Sequence, residues 1–286
     1  MSLTIGELCK RRLSEGHVPP GTAEVLRRLE DFRIAKVKAP GKASDYIAHC
    51  RERRTKVSPA TTAHDVVALR GVLAYAKPGW DMEHVTDAPI REAMPILRKE
   101  GLIGSSKRRT RIPSDAEREA LKARWLARPR KSALPMPDII DFSYYSTRRP
   151  SETFRLQRGD YNAAEHSIMV RDMKHPRRKV GNNRVVALPA EAEEILLRQP
   201  RRSDDPTERF FPFNDKTVER AFADLVAECE IIDLEMRDLR RGGNTWLLKK
   251  YPPQYVMLVT GHETIDMPTT TYNGMTAADF RNWRAA

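Results

Sequence analysis

Proline-containing breaks at Pro19-Pro20-Gly21, Ala39-Pro40-Gly41 and Ser58-Pro59 cut the first third of this chain into short pieces. Proline fixes its own φ and removes a backbone donor, so neither a long helix nor a central strand runs through such points. Thr4 precedes an amphipathic stretch ending at Gly16, a second helical run spans Glu24 to about Val37, and a third covers roughly Ala43 to Arg53. Ser58-Pro59 is a helix start, a cap residue followed by proline in the first turn. After it, Val66, Leu69, Val72, Leu73 and Ala76 recur at three- and four-residue steps, which makes one buried helix face. A further helix fits Pro89 to Leu102. The front of the chain is expected to be a compact helical bundle with Lys and Arg on its outside.

The small, basic stretch Gly104-Ser105-Ser106-Lys107-Arg108-Arg109 has linker composition. The expected division is a helical domain over 1–107, a linker over 108–113 and a second domain over 114–286. In that second domain Ser114 caps a helix running through Leu121 to Trp125. Ser167 to Met173 and Arg184 to Leu188 are β-rich, and the turn-forming, basic segment HPRRKVGNN between them, His175 to Asn183, predicts a hairpin or small antiparallel sheet with a cationic tip. Helices are expected at Glu191–Leu197, Lys216–Glu228, Asp238–Leu248 and after Pro252-Pro253. The fold class is therefore mainly α with a small antiparallel β-sheet.

Charge narrows the partner. The 286 residues carry 51 Lys and Arg against 39 Asp and Glu, a net of +12. Residues 1–113 hold 22 basic against 13 acidic side chains and the remainder 29 against 26, so the excess is concentrated in the front bundle. A basic surface of this kind fits nucleic acid first and an anionic membrane surface second. Cys9, Cys50 and Cys229 are too scattered for a disulfide framework or a zinc site. No stretch approaches the roughly 18 apolar residues of a membrane span. The expectation is a cytoplasmic, nucleoid-associated protein without cofactor or metal.

Three segments carry chemistry: TRRPSE (Thr147–Glu152), RDLRRGGNTWLL (Arg237–Leu248) and VTGHETIDMPTTTY (Val259–Tyr272). Each is weak alone, since paired arginines are common on surfaces and a tyrosine near a C-terminus is usually packing. In this order they resemble the phage-integrase family of tyrosine recombinases, whose catalytic domain runs Arg-x-x-Glu, a hairpin Lys, His-x-x-Arg, Gly-His and Tyr. The matching places are Arg149 and Glu152, Lys174, Arg237-x-x-Arg240, Gly261-His262 and Tyr272. The resemblance covers about residues 114–275, and the front third is similar, more loosely, to the family's helical core-binding domain.

The resemblance implies a site-specific recombinase that clamps duplex DNA between two domains, acts as a homo-tetramer on two sites, and works with accessory DNA-bending or directionality proteins to integrate or excise a mobile element. Tyr272 would attack a DNA phosphate and form a 3′-phosphotyrosyl link, which conserves bond energy so that strands rejoin without ATP. Arg149 and Arg240 would clamp the nonbridging oxygens, because guanidinium is always charged and presents a planar fork. His262 would donate a hydrogen bond to a nonbridging oxygen, Lys174 would protonate the leaving 5′ oxygen, and Glu152 would orient Arg149. No metal or other cofactor is implied.

Several positions depart from the pattern. Arg237 stands where the family has histidine, and arginine takes no proton near neutral pH; it is read as a third cation on the phosphate or a nearby DNA contact. Thr260 replaces a leucine, Pro268 falls in the last segment, and the step from His262 to Tyr272 is about one residue long. Arg148 competes with Arg149, but the Arg-Pro-Ser-Glu register favours the second, and Arg177, Arg178 and Lys179 share the hairpin with Lys174. Two other functions stay open: a type IB topoisomerase with the same nucleophile, and a degenerate member that binds DNA without cutting it.

Overall fold

The computed structural model describes residues 3–129, 132–175, 180–266, 269, 274 and 275. The chain divides into two compact units, Met1–Arg108 and Arg109–Ala286. The secondary structure is mainly helical with one three-stranded antiparallel sheet.

In the first unit, α1 (Ile5–Ser14) begins at Thr4, whose side chain accepts from the Glu7 amide while Glu7 reaches back to the Thr4 amide, a reciprocal cap. α2 (Pro20–Leu29) starts with proline in its first turn, four residues before the expected Glu24. It also stops at Leu29, and Arg33–Lys36 forms a separate 3₁₀ turn. The reason is in the spacing: Ala23, Leu26 and Leu29 lie on one stripe, whereas Ile34 comes five residues later and leaves it. α3 (Ala43–Arg54), α4 (Pro59–Trp80) and α5 (Ala88–Lys99) complete the bundle. α4 packs on α2, α1 and α3, and its Leu69 and Leu73 are fully buried. Asp65 on the same helix is also fully buried, and receives Arg28 at 2.7 Å and Arg53 at 2.6 Å, with His49 3.6 Å away. A buried carboxylate needs such partners to stay ionised, and these tie α2 and α3 to α4.

In the second unit α6 (Asp115–Leu126), α7 (Met136–Tyr145) and the short α8 (Pro150–Thr153) precede the sheet, β1 (Tyr161–Asn162), β2 (Ser167–Val170) and β3 (Arg184–Ala187). The strands pair in the order β1-β2-β3, with Val170 opposite Arg184. α9 (Ala190–Leu197), α10 (Asp215–Glu228), α11 (Met236–Lys250) and α12 (Pro253–Thr260) follow. Ile139, Ile140, Phe142, Ile168, Phe211, Phe222 and Leu239 form the core of this unit. From Arg109 onward the segment read as a linker is anchored here: Arg109 bonds Asp238 through Nε and Nη2, each at 2.7 Å, and Asp233 at 2.8 Å.

Among the described residues, no helix is long and apolar enough to cross a membrane.

Candidate active site

The turn after α7 does the first positioning. Ser146 ends the helix, its Oγ donating to the Phe142 carbonyl at 2.5 Å. Thr147 then adopts φ +56° while fully buried. A β-branched side chain in the left-handed region is a strained arrangement that surrounding structure must enforce. Here the strain reverses the chain so that Arg148 and Arg149 point in different directions. Arg148 is fully buried; its Nε donates to the Ser146 carbonyl at 3.0 Å and its Nη2 to the Val259 carbonyl at the end of α12. Burial pushes Arg148 down to about 9, still charged at neutral pH. Arg149, at the start of α8, keeps 23% of its side chain exposed and lines a cavity.

Glu152 lies one turn on and is 1% exposed. Its carboxylate accepts Arg149 Nη1 at 2.6 Å and the Arg149 amide at 3.1 Å, and stands 3.9 Å from Arg240 Nη1. Burial alone would raise its pKa, but Arg148, Arg240 and Arg149 outweigh that and hold it near 2.

Arg240 reaches this group because α11 crosses α7 at unusually close range. A Cβ on Gly243 would fall 1.7 Å from the Tyr144 carbonyl oxygen, and one on Gly242 2.7 Å from the Tyr144 ring. Only hydrogen fits, and the close approach lets Arg240 Nη1 donate to the Thr147 carbonyl. Its Nη2 lies 3.0 Å from His262 Nε2. A guanidinium has no acceptor, so Nε2 accepts and the imidazole proton sits on Nδ1. His262 arrives through Gly261, which closes α12 at φ +70° and packs so tightly that a Cβ would meet the Met173 methyl at 2.8 Å. Burial, then the charges of Arg240, Arg149 and Arg148, depress His262 to about 3, with Glu152 opposing weakly. It is neutral at physiological pH.

Lys174 is exposed just beyond the sheet. Past β2 and β3 the Met173 amide donates to the Asn182 carbonyl at 2.9 Å, and the Asn182 side-chain amide donates back to the Met173 carbonyl at 2.8 Å. Lys174 then lines a cavity of about 280 Å³ with Arg149 and His262.

The structure therefore gathers Arg149, Glu152, Arg240 and His262 by direct contacts, and Lys174 lines a cavity with two of them, Arg149 and His262. It does not bring Arg237 to them. That side chain is 67% exposed, pairs with Glu235 at 2.6 Å, and lines a separate cavity with Glu219, Phe222 and Leu234. Tyr272 lies outside the described residues, as do Arg177, Arg178 and Lys179. Among the described residues no group of His, Cys, Asp and Glu could hold a metal ion. Sequence reasoning missed the scaffold: the Thr147 reversal, the buried Arg148, the Gly242-Gly243 contact, and His175, Arg184 and Glu263 on the same cavity wall. Only the paired glycines carried a readable signal.

Counting formal charges, Arg148, Arg149 and Arg240 against Glu152, with neutral His262, leaves the cluster at +2. Preorganised, partly desolvated positive charge of this kind binds an oxyanion and favours one that gains charge.

No family model and no curated protein matches the sequence. Solved structures do. The Tn1549 transposon integrase, residues 82–397, in complex with circular intermediate DNA, is 16% identical with a TM-score of 0.69, over 98% of this chain and 99% of that one. A lambda integrase (75–356) dimer bound to a COC′ core site gives 12% and 0.59 over 97% of both chains. A lambda integrase tetramer bound to a Holliday junction gives 13% and 0.57, over 96% of this chain and 79% of that one. The structural neighbours are tyrosine recombinases and integrases over nearly the full length, and the chain has their fold, a helical unit followed by a helical unit with a small antiparallel sheet.

Proposed function

We propose that this chain is a site-specific DNA recombinase that binds duplex DNA, cleaves one strand through a 3′-phosphotyrosyl intermediate on Tyr272, and rejoins it to a new partner. The observation that carries the reading is the convergence of Arg149, Arg240, Glu152 and His262 in one contact cluster, beside a cavity that Arg149, His262 and Lys174 line, in the fold of integrases that were solved on DNA.

In the proposed reaction Arg149 and Arg240 hold the nonbridging oxygens of the scissile phosphate. The Tyr272 oxygen attacks phosphorus, and the bond from phosphorus to the 5′ oxygen breaks. Lys174 gives the leaving oxygen its proton. Arg237 is not part of the cluster and takes no proton; the neutral imidazole of His262 is the base within it, and accepts the tyrosine proton on Nε2 once Arg240 has turned to the phosphate. This replaces the donor role expected of His262. Glu152 positions Arg149 and limits the cluster's charge. The basic front bundle supplies phosphate contacts away from the reaction. Four copies on two sites would complete strand exchange.

The test is covalent capture. Wild-type protein, mixed with a nicked suicide duplex taken from the DNA flanking its gene, should give a denaturation-resistant protein–DNA adduct. Tyr272→Phe should bind the same duplex and give none. An adduct from the Phe variant would remove Tyr272 as nucleophile, and binding without any adduct from wild type would leave a DNA-binding protein only.

A further inference from the structure

The cavity beside the cluster has a second cationic wall that the proposed reaction does not use. Arg184, the first residue of β3, directs Nη2 onto Glu263 Oε1, and His175 Nε2 lies 3.6 Å from Glu263 Oε2. Both oxygens of one carboxylate are therefore faced by cationic or potentially cationic groups from the hairpin. Glu263 follows His262 directly, and all three residues share the cavity with Arg149 and Lys174. Glu263 is about half exposed (53%), so its carboxylate is not locked in place by burial. An acidic group there opposes any approach of DNA, yet it occupies the position that a phosphate oxygen pair would take between an arginine and a histidine.

We propose that Arg184 and His175 form a second phosphate subsite, for a backbone phosphodiester neighbouring the scissile one, and that Glu263 fills it as a resident anion until DNA displaces it. The subsite deepens the strand-cleavage reading and rests on it for the identity of the cavity's ligand. Displacement exchanges one carboxylate for one phosphodiester on Arg184, whose fork geometry suits either. The swung-out Glu263 then meets solvent. Resting protein thus carries a competitor for its own DNA site, which weakens contact with any duplex that does not seat a phosphate correctly.

The test measures noncovalent binding of a fluorescent duplex to full-length protein in the Tyr272→Phe background, across a salt series. Arg184→Ala should weaken binding and make the slope of log affinity against log salt shallower by about one, the loss of one phosphate contact. Glu263→Gln should tighten binding about two- to fivefold, the worth of an exposed ion pair. That gain should vanish when Arg184→Ala is also present, because the competitor then has nothing to compete for. Arg184→Lys keeps the charge and should keep the slope, and Arg184→Gln, which removes the charge and should lose the same slope, stands in for the alanine variant should that one fail to fold. An unchanged slope in Arg184→Ala overturns the subsite. A Glu263→Gln gain that persists without Arg184 also overturns it, since Glu263 would then act by general repulsion. Adduct formation by wild type is read separately: its failure removes the cleavage reading while the binding results still decide the subsite.

Discussion

Glu152→Gln removes the one carboxylate among three guanidiniums while keeping the shape of the side chain. The magnitude follows from the structure. The carboxyl is held near 2, against 4.5 for the free group, and a depression of that size is worth about 3 kcal/mol of folding stability at neutral pH. The side chain is 1% exposed, so solvent screening does not reduce this much. An independent route agrees, since breaking a buried ion pair by removing one partner costs about 3–5 kcal/mol. The neutral amide oxygen can still accept from Arg149, which places the expected loss at the lower end. The sign with pH is fixed. A carboxyl whose folded pKa lies below its unfolded one contributes fully above about 4.5, and loses that contribution as pH falls toward 2. The gap between wild type and variant should therefore be constant from neutral pH to about 5, then close by about 1 kcal/mol per pH unit.

The assay is urea unfolding followed by tryptophan emission in a Trp80→Phe background, which silences the only tryptophan of the first unit. A gap below about 1 kcal/mol at neutral pH, or one that does not narrow on acidification, would refute the account of Glu152 as the buried counter-ion of the cluster.

Other expectations follow from the same geometry. Arg149→Ala and Arg240→Ala should each lower the single-turnover cleavage rate at saturating DNA by about 100- to 1,000-fold; a change under about threefold in either would remove that residue from the clamp. Gly243→Ala sets a methyl against the Tyr144 carbonyl and should destabilise the second unit by about 1–3 kcal/mol, read as a shift in urea midpoint, and an unshifted midpoint would mean that α11 does not need its close approach to α7. His262, depressed to about 3, should show no ring titration by NMR between about pH 8 and pH 5 in DNA-free protein, with the proton on Nδ1; a midpoint near the reference value of about 6.5 would falsify its burial among the guanidiniums. Because His262 stays neutral when folded but protonates when unfolded, its contribution to stability is full above about pH 6.5 and falls away toward pH 3. Removing residues 1–108 should weaken DNA binding and flatten its salt dependence, and equal slopes for the two forms would refute the phosphate contacts proposed for the front bundle.

Much of this was legible in the residues. The helical steps of Val66, Leu69, Val72, Leu73 and Ala76 gave α4, and the β-rich runs on either side of a basic turn gave the antiparallel pair, because period and punctuation are local properties. Arg149, Glu152, Arg240 and His262 were readable as a set through motif order. Which of two adjacent arginines faces the cavity depends on a left-handed Thr147, a conformation that β-branched residues avoid, so propensity points the wrong way there. Arg237 shows a different limit. Its place one turn before Arg240 suggests a shared face, but at the start of α11 its side chain pairs with Glu235 and turns to the α10 side. No periodicity encodes that choice, because the competing partner lies outside the motif. Arg184 and Glu263 are 79 residues apart and meet only through tertiary structure.

The charge of the cluster bears on why a depressed histidine belongs in it. On the proposed chemistry the bound phosphodiester brings one negative charge against +2, and the five-coordinate transition state brings two. Once His262 has taken the proton the cluster stands at +3 against −2, so the attraction strengthens as charge develops while the net charge of the site stays at +1 throughout. A protonated His262 would move the resting cluster to +3, over-bind the ground state and leave no acceptor for the tyrosine proton. Neutral at the start, His262 gains its charge as the phosphorus centre gains its own. Proton transfer and charge development then compensate inside the same buried group. Burial, the largest cause of the depression, persists when DNA arrives, but the share owed to the guanidiniums is what the phosphate's growing negative charge offsets, so the imidazole becomes more basic at the step that needs a base.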